Sequence, residues 1–153
     1  MKLWLLRHGA AEAYQRHDAD RQLTEQGRAQ VVQAAEFLTG VQFDRVLCSP
    51  YIRARQTAQL LSDTLQLQGE IEIVPWLTPE DDPRAVTRKL DGYPVENLLI
   101  VAHQPLLGYL AEWLVDGSRQ RGLPMNTASV ACLEGEFVGA GTMQLRSLQH
   151  VNN

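Results

Sequence analysis

Two of the four histidines in this chain of 153 residues stand at the ends of short apolar runs, His8 one residue past Leu6 in Leu6-Arg7-His8-Gly9 and His103 directly after Val101-Ala102. Neutral imidazole can attack phosphorus and carry the phosphoryl group, dividing one difficult displacement into two easier ones. The reaction also needs fixed positive charge on the equatorial oxygens, which guanidinium supplies as a bidentate fork without losing its proton. Arg7, adjacent to His8, and Arg53, in Ser49-Pro50-Tyr51-Ile52-Arg53, are the candidates. Gly9 permits close backbone approach or a positive φ beside the nucleophile, and a protonated His103 could donate to a phosphoryl oxygen. On that reading His8 is neutral while His103 is charged. Taken singly, each residue has a plainer use: a histidine at a strand end is also a hydrogen-bonded structural group, and Arg53, like Arg55, a solvated helix face.

The elements that must position these residues follow from hydrophobic periodicity. Apolar runs of strand length lie at Leu3 to Leu6, Arg45 to Cys48, Glu70 to Val74 and Leu98 to Ala102. Between them the spacing predicts helices. Thr24 is the expected N-cap of one that carries Val31, Ala35 and Leu38 and stops at Gly40. A second covers Tyr51 to Leu67, a shorter one Arg84 to Leu90, and Pro105 sits in the first turn of one through Leu106, Leu110, Trp113 and Leu114. Thr78-Pro79-Glu80-Asp81 reads as the N-cap and first turn of the short helix. Strand then helix, repeated, implies a parallel sheet, while Ser129 to Leu133 and Thr142 to Leu148 read as an antiparallel edge. The expected fold is α/β, a three-layer α/β/α sandwich with a mostly parallel central sheet and an antiparallel edge, in one domain over residues 1–153. Sites in such sheets form at the carboxyl ends of parallel strands, which brings His8, Ser49 and His103 to one edge.

Composition sets the wider bounds. A net charge of -4 and 44% hydrophobic residues describe a chain with a real core and no general attraction to nucleic acid or acidic membranes. Cys48 and Cys132 both lie in apolar runs, as expected of buried thiols in a reducing compartment. Lys2 to Leu6 is too short for a signal-peptide core and no run reaches membrane-spanning length, so a cytoplasmic location is expected. His8 and His103 belong to no helical His-x-x-x-His pattern or Cys/Asp cluster, so neither a metal nor another cofactor is expected. Trp76, Tyr109 and Trp113 read as core, His17 and His150 as exposed, and His150 to Asn153 as a frayed end.

Taken together, Leu6-Arg7-His8-Gly9, Leu23-Thr24-Glu25-Gln26-Gly27, Ser49 to Ala58 and Val101-Ala102-His103 resemble the histidine phosphatase (phosphoglycerate mutase-like) superfamily in residues, order and spacing. The short chain, Leu77-Thr78-Pro79 and Ala102 to Leu110 look most like its SixA-type phosphohistidine phosphatases. The resemblance implies that His8 is the phosphorylated nucleophile and that Arg7, Arg53 and His103 complete the catalytic set. It places Gly9 and Arg21 as further substrate contacts, while Arg55 inherits no role. Ala10 stands where many relatives carry an acidic residue, at a peripheral contact.

The implied substrate is phosphohistidine on a protein such as a histidine phosphotransfer domain, with no nucleic-acid or membrane partner and a monomeric enzyme. Sugar-phosphate enzymes of the superfamily supply a carboxylic acid to protonate an alkoxide leaving group, whereas the nitrogen of phosphohistidine can leave already protonated. Glu12, Asp18, Asp20, Glu80, Asp81 and Asp82 all stay open as candidate acids. About twenty residues separate the third strand from the fourth, which implies an open, shallow site. The competing readings are a small-molecule phosphomonoesterase and a non-catalytic phosphohistidine-binding module.

Overall fold

Continuous apolar runs build this sheet from its middle outward. In the computed structural model, which describes residues 1–152, β1 (Lys2–Arg7) lies parallel to β4 (Asn97–Ala102). Across β4 runs β2 (Arg45–Cys48), followed by β3 (Ile71–Ile73), both parallel. On the other flank β5 (Val130–Glu134) pairs antiparallel with β1, and β6 (Gln144–Gln149) with β5, for an order β3-β2-β4-β1-β5-β6.

Successive side chains of a strand point to opposite faces, so each strand feeds two cores. Leu3, Leu5, Leu47, Leu98 and Ile100 face α3 (Pro83–Leu90) and α4 (Leu106–Asp116). Leu6, Val46, Cys48, Leu99 and Val101 face α1 (Glu25–Ala35) and α2 (Ile52–Leu65). This is the three-layer arrangement that the periodicity predicts. Trp76 and Trp113 pack half-buried against the first core, and Cys48 and Cys132 are buried free thiols. No described helix is long and apolar enough to cross a membrane.

Two local expectations are corrected. The short helix starts at Pro83, with Asp82 as its N-cap accepting from the Arg84 amide. Thr78 to Asp81 forms a separate turn, in which the Asp81 carboxylate accepts from the Thr78 amide and hydroxyl. Thr78-Pro79 and Asp82-Pro83 both carry the cap-then-proline signal, and the second prevails because the buried face of Pro83, Val86, Thr87 and Leu90 begins there. The C-terminal end is not frayed through Val151, which packs into the α1/α2 core, while the exposed His150 reaches Ser129 Oγ through Nδ1. A single valine past the last strand has no periodic signature. Asn153 lies outside the described residues.

Gly9 and Gly27 interlock the loop after β1 with the first turn of α1. A Cβ on Gly9 would stand 2.5 Å from Gly27 O, and one on Gly27 would stand 2.0 Å from Ala10 O. Close approach, rather than a positive φ, is therefore what Gly9 provides. Both obstacles are backbone, which cannot swing aside as a side chain would. Gly27→Ala is expected to cost about 1–3 kcal/mol, read as a lower urea midpoint at unchanged slope. An unaltered midpoint would show that the loop separates from α1 freely.

Candidate active site

The three motif-bearing strands β2, β4 and β1 are immediate neighbours, and their carboxyl ends present Ser49, His103 and His8 side by side. His8 continues the pairing of β1 on both flanks: its amide donates to Ala102 O at 3.0 Å, and its carbonyl accepts from the Ala128 amide at 3.0 Å. With the backbone so pinned, the ring is oriented by its own neighbour. Nδ1 lies 2.7 Å from Gly9 O, which can only accept, so Nδ1 carries the hydrogen and Nε2 keeps its lone pair. Nε2 accepts from Arg53 Nε at 3.3 Å.

Arg53 stands in the first turn of α2 with its guanidinium buried. Besides His8 it donates to Asp18 O at 2.7 Å and to Asp18 Oδ2 at 3.0 Å, and it lies 5.1 Å from the Tyr51 ring centre. Arg7 Nη1 donates to Met125 O at 2.8 Å, while its buried Nε has no partner. The His103 ring is 5.2 Å from that of His8, with Nε2 2.7 Å from Ser49 Oγ and a buried Nδ1 that also lacks a partner. Arg21 donates to Glu12 O at 2.6 Å and to Asp18 Oδ1 at 3.0 Å. The structure thus gathers Arg7, His8, Arg53 and His103, and brings Arg21 to their rim through Asp18. Gly9 contributes backbone: its carbonyl orients His8, and its amide donates to Thr57 Oγ1 at 3.2 Å. Arg55 is exposed.

Electrostatics follow from this crowding. Burial, assisted by the charges of Arg53, Arg7 and Arg21, pushes the His8 ring down to about 4, against the opposing pull of its bond to Gly9 O. Burial, then the neighbouring His8 and Arg53, pushes His103 down to about 2. The expectation of a charged His103 is therefore corrected: in the free protein both rings are neutral at neutral pH. The unfolded chain protonates a histidine near 6.5. The folded chain takes up the His8 proton only near 4. Acid therefore favours unfolding, and stability is expected to decline as pH falls from about 6.5 toward 4. Titration of the His8 ring by nitrogen NMR should show no protonation until about pH 4, and a midpoint near 6.5 would overturn this.

Over 148 residues the chain is 34% identical to phosphohistidine phosphatase SixA of Escherichia coli (strain K12), covering 93% of this chain and 90% of the relative. The chain belongs to the histidine phosphatase superfamily. Residues 3–78 match the profile of the histidine phosphatase superfamily (branch 1). The structure of the protein histidine phosphatase SixA complexed with tungstate superposes with a TM-score of 0.88 at 31% identity, over 98% of this chain and 97% of that one. The adenosylcobalamin/alpha-ribazole phosphatase of Salmonella typhi is 34% identical, over 72% of this chain and 77% of that protein.

In this histidine phosphatase four of the six candidate acids are engaged in other contacts, while Asp20 and Glu80 are exposed. Asp18 is the candidate acid that touches the arginines, and its carboxylate bridges Arg21 and Arg53. The hydrogen bonds from Arg21 and then Arg53 hold it below the usual carboxylate range. Glu12 is held low by the Gln22 amide and braces the loop, accepting also from Gln15. Asp82, down to about 2 beside Arg84, caps α3, and Asp81 closes the Thr78 turn. Sequence reasoning passed over the residues that hold the frame: Thr57 Oγ1 on Gly9, Gln56 Oε1 on the Leu23 amide and Gln30 Oε1 on the Ala10 amide. Gln56 and Thr57 lie within the Ser49 to Ala58 stretch that carries the family resemblance. Their work is to fasten the loop after β1 to α2.

Proposed function

We propose that this histidine phosphatase removes the phosphoryl group from phosphohistidine on a protein, such as a histidine phosphotransfer domain, through a phospho-His8 intermediate. The observation that carries the reading is the state of Asp18, the candidate acid in contact with the arginines. Arg21 and Arg53 hold it as a carboxylate in the free site, and the Arg21 contact, the larger influence, remains when a phosphoryl group displaces it from Arg53, so it has no proton to give. A phosphoramidate needs none, because a proton on the other nitrogen of the substrate imidazole lets the departing nitrogen keep the P–N electron pair and the ring leave neutral.

In the first step His8 Nε2 forms a bond to phosphorus as the substrate's P–N bond breaks, and the substrate imidazole leaves neutral. Arg7 and Arg53 hold the equatorial oxygens, with Arg21 at the rim, and the incoming group takes the place of the Asp18 carboxylate on Arg53. Water then attacks phosphorus, the bond to His8 breaks, and inorganic phosphate leaves. SixA has been solved with tungstate, a tetrahedral oxyanion of phosphate shape, on a closely similar fold. The reach of the site suits a protein surface, since one short helix, α3, lies between β3 and β4.

A second reading, a phosphatase of small phosphate monoesters, is favoured by the likeness to an adenosylcobalamin/alpha-ribazole phosphatase. Turnover of a phosphorylated histidine phosphotransfer domain and of a panel of ribose and sugar phosphates decides between them. The phosphoprotein is expected to have the higher kcat/KM and to leave an acid-labile label on His8 in rapid quench. Faster turnover of a sugar phosphate would overturn the proposal.

A further inference from the structure

The hydroxyl of Ser49, just past β2, is wholly buried and has two partners: the Tyr51 amide donates to Oγ at 3.2 Å, and His103 Nε2 lies 2.7 Å away. A serine hydroxyl has one hydrogen to give and two lone pairs to offer. The Tyr51 amide takes one lone pair, and among the described residues the hydroxyl hydrogen has no acceptor other than His103 Nε2. If Nε2 carried the ring hydrogen, the Ser49 O–H would be buried and unpaired, which native interiors rarely tolerate. If the O–H donates to Nε2, both atoms are satisfied and the ring hydrogen sits on Nδ1.

Nδ1 is itself buried without a partner, and Arg7 Nε is the other described buried side-chain atom in that condition. Both belong to residues of the same site, one on the ring next to His8 and one on the residue before it. Two unpaired N–H donors beside one nucleophile call for a shared acceptor, which a phosphoryl group supplies with its oxygens.

We infer that Ser49 is a positioning residue that holds His103 in the tautomer with its hydrogen on Nδ1, so that His103 donates to the phosphoryl group as a neutral ring. The inference rests on His103 facing the substrate, as in the proposed function. It also explains how the site uses a second histidine that its surroundings keep uncharged: the donor is set by tautomer, and no proton has to be taken up first.

Nitrogen NMR of the full chain, with labelled histidine and no ligand, reads the tautomer directly. The expected result is a hydrogen bonded to Nδ1 of His103 and a bare Nε2, and a hydrogen on Nε2 would overturn the inference whatever any variant does. Ser49→Ala is expected to mix the tautomers and to lower kcat on a phosphorylated histidine phosphotransfer domain by about tenfold to a hundredfold, with KM little changed. Ser49→Thr, which keeps the hydroxyl, is expected to recover most of the rate and the single tautomer. If the alanine variant does not fold, the wild-type spectrum decides alone. The two readings fail separably: an undiminished rate in His103→Ala overturns the role of His103 and this inference with it. A slow His103→Ala beside a fully active Ser49→Ala overturns the inference alone.

Discussion

Replacing His8 with alanine is expected to lower turnover of a phosphorylated histidine phosphotransfer domain by about a thousandfold or more and to abolish the acid-labile label. The bonds around the ring leave Nε2 as the unprotonated nitrogen, facing Arg53. Gly9 O claims the hydrogen on Nδ1, and burial keeps the ring unprotonated far below neutrality. Alanine removes the ring nitrogen proposed to bond phosphorus, while the backbone bonds of residue 8 to Ala102 and Ala128 remain possible. The fold should therefore survive, with a urea midpoint close to that of the parent. His8→Ala with undiminished turnover would remove the covalent mechanism. Detection of phosphorylated His8 in the parent after substrate addition would also answer the third reading of the sequence, in which the site merely binds phosphohistidine.

Arg53→Lys is expected to cost about a hundredfold to a thousandfold in kcat/KM, although the charge is retained. One planar guanidinium serves His8 Nε2 through Nε and Asp18 through both terminal nitrogens. An ammonium is a single point and cannot span three acceptors in one plane. The fork would meet phosphoryl oxygens as it now meets Asp18, so lysine loses both orientation and one of the parallel bonds. A variant within about threefold of the parent would show that only charge is needed, contrary to the bidentate geometry.

Much of this was legible in the residues, and what was not has physical reasons. Unbroken apolar runs identify the strands because each strand feeds a core on either face, as Leu3 and Leu5 oppose Leu6. The same pattern says nothing about neighbours, since any of these strands would look alike next to any other. That β4 lies between β1 and β2, and so puts His103 between His8 and Ser49, appears only in the folded sheet. Motifs at strand ends located Arg7, His8, Arg53 and His103, but burial sets their charge, and burial is a property of the assembled site. Asp18 looked like one acid among six because a loop carboxylate has no periodicity to place it. Its position between Arg21 and Arg53 depends on the loop being fastened by Gln30, Gln56 and Thr57.

The place of β1 in the sheet has a consequence for how the molecule is made. β1 is synthesised well before its two neighbours, β4 and β5, whose pairing residues begin at Asn97 and Val130. An apolar segment, Leu3 to Leu6, must wait unpaired while most of the chain is synthesised, and long-range pairing of this kind is slow and exposed to aggregation. The same delay governs activity. His8 is held by Ala102 and Ala128, so the proposed nucleophile takes its orientation only when the sheet closes. A nascent fragment ending before Ala102 carries both Arg7 and Arg53 and has no assembled site. Phosphoryl chemistry and completion of the fold begin together.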